Sequence, residues 1–298
     1  MADSEPLISI VLAAVNPRAT LGPWLAALEP QARGRAVELL VAAAGDVDAV
    51  RALVADRAAT VLGGPDDALV PALWGLGMAA ARGRVIAVTI SACLPSPGWL
   101  DAVVRAHDES PAAGIGGVID LAPDAGPLDR AVHLVRYTSY LPPQPAREVE
   151  EIAGDNGTYK RSAIADLLPA IARDGFWEPE IHRVLRARGE HLRVDPGLLV
   201  TFGGSPSAAA FARQRFRHGR VFGRERGRSR PWLARAARAC AAPLVPPVML
   251  ARALRTVRDR GRLDGRTIAA APLAACFLAC WAAGEAAGWL AGASPGTS

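Results

Sequence analysis

The chain has 298 residues, 51% of them hydrophobic and 21% charged, with a net charge of +5. That length suits one α/β domain of roughly 200 residues with an appended element, and it is enough to bury a substantial core. The four cysteines (Cys93, Cys240, Cys276 and Cys280) form no Cys-x-x-Cys pair and have no histidines at metal spacing, which argues against a disulfide framework or a zinc site and suits a reducing compartment.

Residues 7–15 are apolar and rich in β-branched types, and Asn16-Pro17 signals a turn, so the chain opens with a buried strand. The acids in MADSEPLISIV precede the apolar run where a signal peptide would carry bases, so the body is expected on the cytoplasmic side. Leu21, Trp24, Leu25 and Leu28 stand at helical spacing, and residues 37–43 read as a second buried strand. A helix over 48–58, a short strand at 60–62, a helix over 69–81 and a strand at 84–90 continue the alternation. This pattern predicts a mostly parallel, doubly wound sheet flanked by helices, with its ligand crevice at the carboxyl ends of the strands. A helix to about 109, a strand at 115–121, a Pro-rich loop at 141–145, helices at 163–172 and 178–188, and extended pieces at 191–194 and 198–202 complete a body over 1–206.

Residues 207–298 are of different character. From 213 to 266 there are 16 arginines against three acids, whereas 1–212 holds 18 basic and 25 acidic residues, so the tail carries +13 and the body −7. Basic charge beside hydrophobic segments favours an anionic membrane surface. Nucleic acid is disfavoured, because the tail has no aromatic residues interleaved at stacking spacing and the acidic body would repel phosphate. The uncharged run 267–284 has 18 residues, the lower limit for crossing a bilayer of about 30 Å, and is interrupted by Pro272. A span, an interfacial helix and a re-entrant pair all remain open.

The order and spacing of ISIVLAAVN (8–16), VELLVAAAGD (37–46), RVIAVTISACLPSPGWL (84–100), GDNGTYKRSAI (154–164) and FWEPEIHRVLRARG (176–189), followed by the basic hydrophobic tail, resemble the family-two, GT-A type glycosyltransferases. The resemblance implies a nucleotide-diphospho-sugar transferase fold with C-terminal membrane-associated helices. It further implies inverting transfer of a sugar from a nucleotide donor to a lipid-linked or glycan acceptor on the cytoplasmic face of the membrane. Such chemistry needs a nucleoside pocket, neutralisation of the departing diphosphate and a base for the acceptor hydroxyl.

The family's acids are only partly present. Its first acidic pair falls on Ala43 and Ala44, leaving Asp46 as the substitute, although its position before VDAVRALVA favours the cap of the helix that follows. Its metal-binding Asp-x-Asp falls on Ile90, Ser91 and Ala92, so the Mg or Mn that the resemblance implies lacks its carboxylates. GDNGTYKR resembles the loop that faces donor and acceptor, which makes Asn156, Tyr159 and Arg161 donor-binding candidates and Asp155 a spare carboxylate, although a plain turn would use the same residues. In WEPEIH, Glu178 matches the first acid of the family's Glu-Asp pair and Pro179 replaces its base aspartate, so Glu178 or Glu180 is the expected base, with His182 beside them. The same segment is also a good helix start. Gln214-Arg215-Phe216-Arg217-His218 resembles the Gln-x-x-Arg-Trp element of membrane-embedded members, which adds Gln214 and Arg217 to the donor set and Arg215 and Arg220 as further diphosphate candidates. The missing acids raise an alternative, a catalytically inactive GT-A-like membrane scaffold in glycan assembly.

Overall fold

The computed structural model of the chain describes residues 6–228 and 230–291, which form two units. The first contains residues up to 122 together with 142–204, and the second contains 123–141 and the chain from 205 onward.

In the first unit β1 (Ile8–Ala13), α1 (Pro17–Ala32), β2 (Val37–Ala43), α2 (Val47–Leu53), β3 (Ala59–Gly63), α3 (Val70–Ala80) and β4 (Val85–Ile90) alternate as the periodicity predicts. Every position of β1 and of β4 is buried, which is why both read as continuous apolar runs. Leu21, Trp24, Leu25 and Leu28 form the buried face of α1. The strands β3-β2-β1-β4 are parallel neighbours, and Ala13 lies level with Ala42 and Ile90, so the carboxyl ends of β1, β2 and β4 share one edge.

Beyond β4 the sheet changes character. After β5 (Cys93–Pro95), α4 (Trp99–Glu109) and β6 (Gly114–Leu121) the chain passes through α5 (Pro127–Arg136), which belongs to the second unit. It returns through β7 (Arg147–Val149), β8 (Asn156–Lys160), α6 (Arg161–Ile164), α7 (Leu168–Asp174), α8 (Glu178–Ala187) and β9 (Leu192–Phe202). The segment GDNGTYKR, expected as a turn, supplies β8, a strand running antiparallel between β4 and β6. The sheet is therefore mixed: parallel from β3 to β4, with β8 antiparallel to both its neighbours and β9 parallel to β6 but antiparallel to β5 and β7.

Asn156 explains how so polar a segment is buried. Its side chain is 0% exposed, accepts from Trp99 Nε1 at 3.0 Å, and donates from Nδ2 to Val118 O at 3.1 Å and Leu198 O at 2.7 Å. Those carbonyls lie where the β6–β9 ladder slips at Gly117, a bulge at which regular pairing is interrupted. Gly117 has no room for a side chain, because a Cβ there would collide with Leu198 O and Asn156 Nδ2. Tyr159, also 0% exposed, meets His182 Nε2 at 2.8 Å and stands edge-on to Phe176 at 5.2 Å.

The second unit is helical: α5, α9 (Ala208–Gly227), α10 (Trp232–Ala241), α11 (Val245–Asp259) and α12 (Gly265–Ala291). Its spine is the parallel pair α9 and α12. A Cβ at Gly219 would strike Trp281 O, one at Gly223 would strike Glu285 O, one at Gly284 would strike Phe216 O, and one at Gly288 would strike Arg220 O. Glycines four apart on both helices thus let the two backbones touch. Phe211 and Phe277 pack edge to face at 4.8 Å, and Arg235 of α10 caps the last turn of α12 through Trp289 O and Leu290 O. Besides the chain from residue 205 onward, this unit takes in residues 123–141, where α5 packs on α12.

Two predictions follow from this packing. Asn156→Ala removes the side-chain hydrogen bonds of two carbonyls and an indole N–H, at roughly 1–3 kcal/mol each, so chemical denaturation should show a loss of about 3 kcal/mol or more. Burial holds the His107 and His182 imidazoles at about 4, below the ordinary 6.5, so the unfolded chain binds protons that the folded chain refuses. Their stabilising contribution is therefore complete above about pH 6.5 and is lost as pH falls towards 4, at roughly 1.4 kcal/mol per pH unit for each histidine, which denaturation midpoints across that window will report.

Candidate active site

The carboxyl edge of β1, β2 and β4 collects the chemistry-bearing residues of the first unit. After β1, Asn16 adopts a left-handed conformation (φ 51°) and Pro17 opens α1, which brings Arg18 to the first helical turn. After β2, Gly45 (φ +74°) turns the chain into Asp46. Asp46 caps α2 by accepting from Ala49 N at 3.0 Å, as the bland sequence reading expects, while its second oxygen lies 3.5 Å from Arg18. The pair is open to solvent, with the Asp46 side chain 64% exposed, so its Coulomb attraction is weak and both groups remain accessible to a ligand.

At the end of β4 the metal-motif position is filled by a closed hydroxyl network. Ser91 Oγ donates to Val15 O at 2.9 Å, and it accepts from Val15 N at 2.9 Å and from Thr20 Oγ1 at 2.8 Å. Ile90, Ser91 and Ala92 are all buried. Ser91 therefore ties the β4 end to the turn after β1, and its lone pairs are already used. These residues do not fit a divalent cation, which needs several hard oxygen ligands. Among the described residues no group of three His, Cys, Asp or Glu side chains is placed to hold one.

Antiparallel pairing carries the start of β8 to this same edge. Asn156 pairs with Thr89, Thr89 Oγ1 donates to Asp155 O at 2.8 Å, and Asp155 is 4% exposed. The N-terminus of α8 arrives beside them. Phe176 N donates to Pro71 O at 2.8 Å, and a methyl group at Gly154 would lie 2.5 Å from Glu178 Oε1 and 2.7 Å from the Trp74 ring. Trp74 Nε1 in turn donates to Thr89 O at 2.8 Å. Glu178 is thus held against Gly154, the residue before Asp155, half-buried at the first turn of α8.

Several sequence candidates are reassigned by this geometry. Asn156 and Tyr159 are core residues whose polar atoms serve the bulge and His182, leaving no surface for a donor contact. Arg161 is at the opposite end of the sheet, because Lys160 pairs with Val85 and Arg161 N donates to Arg84 O. A strand advances about 3.3 Å per residue, so five residues separate Arg161 from Asn156 by roughly 16 Å. Glu180 is exposed on α8, and His182 is fully buried and neutral. Gln214 and Arg217 lie on α9 of the second unit, Gln214 half-buried and Arg217 exposed. Arg18 was not singled out from sequence; its place two residues after the turn that ends β1 was the available signal.

No protein-family model matches the chain, and no curated protein sequence matches it. Among solved structures it is similar to mannosyltransferase PcManGT from Pyrobaculum calidifontis, in complex with GDP-Man and Mn2+, with a TM-score of 0.54, 16% identity, and coverage of 93% of this chain and 86% of that one. It is also similar to GalNAc-T7 with UDP, GalNAc and Mn2+, with a TM-score of 0.51 and 14% identity over 68% of this chain, which spans 45% of that chain's length. Identities this low speak to architecture, and the chain has the α/β fold of the GT-A glycosyltransferases, a central sheet flanked by helices.

Proposed function

We propose that the protein is a glycosyltransferase that moves a sugar, with inversion, from a nucleotide-diphosphate donor to a lipid-linked or glycan acceptor at the cytoplasmic face of the membrane. The observation that carries this reading is the position of Glu178, against Gly154 at the carboxyl edge where GT-A-like sheets take their ligands. In the proposed reaction Glu178 accepts the acceptor hydroxyl proton as that oxygen attacks the anomeric carbon, and the nucleoside diphosphate leaves from the opposite face. Asp46 accepts from the nucleoside hydroxyls, and Arg18 at the first turn of α1 meets the diphosphate charge. Metal is not assigned a step, because Ser91 and its neighbours do not offer the ligands.

The membrane part of the proposal rests on the second unit. Of nine large apolar side chains exposed among the described residues, eight belong to it, led by Leu233 (73%), Leu244 (69%) and Trp232 (65%). An apolar groove of about 550 Å³ runs between α12 and the α10–α11 turn, walled by alanines, prolines and Leu250. Exposed apolar surface of this extent beside arginines fits the boundary of an anionic bilayer. The helix α12 is long and apolar enough to cross a membrane, but its glycine contacts hold α9 against it. A span would carry the α9 arginines that follow Phe211, which packs on Phe277 near the middle of α12, towards hydrocarbon, where a charge at the centre costs about 2.5 kcal/mol or more, so interfacial attachment is favoured.

A second reading, a non-catalytic membrane scaffold in glycan assembly, is favoured by the closed Ser91 network. Calorimetric titration with UDP-, GDP- and TDP-sugars, with and without manganese, separates the two. The transferase reading expects one donor to bind without metal, Asp46→Ala to weaken it about tenfold, and Glu178→Ala to keep binding while transfer drops by at least about 100-fold. A folded sample that binds no donor leaves the scaffold. For the membrane, vesicles containing anionic lipid should sediment the protein, the Trp232→Ala/Leu233→Ala variant should bind several-fold more weakly, and an alkaline wash should release it; retention after the wash would indicate a spanning helix instead.

A further inference from the structure

The reassigned Arg161 lies in a cavity that the proposed reaction does not use. It occupies about 370 Å³ at the amino-terminal edge of the sheet, where β1 and β4 begin and β8 ends, and its cations are Arg84, Lys160 and Arg161. That is room for about a dozen water molecules at roughly 30 Å³ each, the bulk of a phosphorylated monosaccharide. Neither Arg84 nor Arg161 makes an ion pair among the described residues, and the Arg161 Nε–H is enclosed without an acceptor. Among the described residues Asp108 is the one acid in the wall, beside the three cations.

His107 forms part of the cavity wall. It is 7% exposed, and its Nε2 meets Thr158 Oγ1 at 2.7 Å. The Thr158 hydroxyl donates its own hydrogen to Ile115 O at 2.7 Å, so it must accept from His107, and the proton sits on Nε2. The Nδ1 atom is then a bare acceptor, buried and without a partner. Burial, assisted by the charge of Lys160, keeps the ring neutral down to about pH 4, so that lone pair is present at physiological pH. The apolar part of the wall is aliphatic, Leu7, Val85 and Val104, with no aromatic ring to stack a nucleobase.

We propose that this cavity binds a small phosphate monoester, a sugar phosphate, with Arg84, Lys160 and Arg161 supplying the positive charge and the volume beside the aliphatic wall admitting the sugar. The site stands at the opposite end of β8 from Asp155 and is independent of the donor crevice.

The test is calorimetric titration of the full chain with glucose 6-phosphate, inorganic phosphate and glucose. Glucose 6-phosphate should bind about tenfold more tightly than inorganic phosphate, and glucose alone should not bind detectably. The Arg84→Ala/Arg161→Ala variant, altered only at exposed or half-exposed side chains, should lose at least about tenfold with an unchanged melting temperature. Glu178→Ala, at the other edge, should bind as the native chain does. Undiminished binding in the double variant, loss of binding in Glu178→Ala, equal affinity for phosphate and sugar phosphate, or no binding at all would each overturn the proposal.

Discussion

The first unit depends on one side-chain amide. Asn156 stands where three incompatible pieces of backbone meet: the end of β4, the bulged strand β6, and β9 with its shifted register. A bulge interrupts regular pairing, and an unpaired carbonyl in a dry core costs more than a hydrogen bond gains. The amide of Asn156 meets two carbonyls there and receives the Trp99 indole as well. Because β8 is pinned at that point, its preceding residues, Gly154 and Asp155, are delivered to the carboxyl edge, and Glu178 has a fixed surface to rest on. The geometry of the candidate site is thus a consequence of how a sheet defect is repaired.

The second unit depends on a constraint of a different kind, the absence of side chains. Gly219, Gly223, Gly284 and Gly288 let α9 and α12 approach until backbone meets backbone, at which distance dispersion and weak Cα–H···O contacts do the work that larger side chains do elsewhere. The contact is parallel and extends from Phe211 against Phe277 to Gly227 against Trp289. It joins the most basic helix among the described residues to the longest apolar one. Whatever medium receives α12 must therefore also accommodate the α9 arginines, and a headgroup layer meets both requirements where hydrocarbon does not.

How much of this was legible in the sequence follows from what each segment had to bury. The strands β1 and β4 are covered on both faces and read as unbroken apolar runs, and the helix α1 shows its buried stripe residue by residue. The strand β8 was not legible, because a strand made of Asn, Gly, Thr, Tyr and Lys looks like a turn until its partners, Trp99, His107 and His182, are known. Missing its direction also misplaced Arg161: a segment read as one loop put Asp155 and Arg161 together, whereas an extended strand puts them at opposite edges. Glu178 was found from its motif, but its contact with Gly154 required the fold. The glycine spacing in GRVFGRERG and GEAAG was available in the sequence, hidden by the arginines between the glycines.

The closed network at Ser91 bears on how such a crevice handles a diphosphate. In an Asp-x-Asp site two carboxylates hold a cation, and the cation neutralises the leaving group; removing the carboxylates removes both charges together, so the crevice is not left with an unbalanced field. Here the same position is given to structure, with Ser91 and Thr20 bonding the turn after β1 to the end of β4. That bond fixes the start of α1, and with it the first-turn Arg18 beside Asp46. An arginine at that point supplies one positive charge without a metal, in planar geometry matched to two phosphate oxygens. Its side chain is 82% exposed, so under the proposed function its attraction would grow as a donor excluded water from the crevice. A site organised this way would gain its electrostatic strength from closure around the substrate, whereas a resident ion would provide it beforehand.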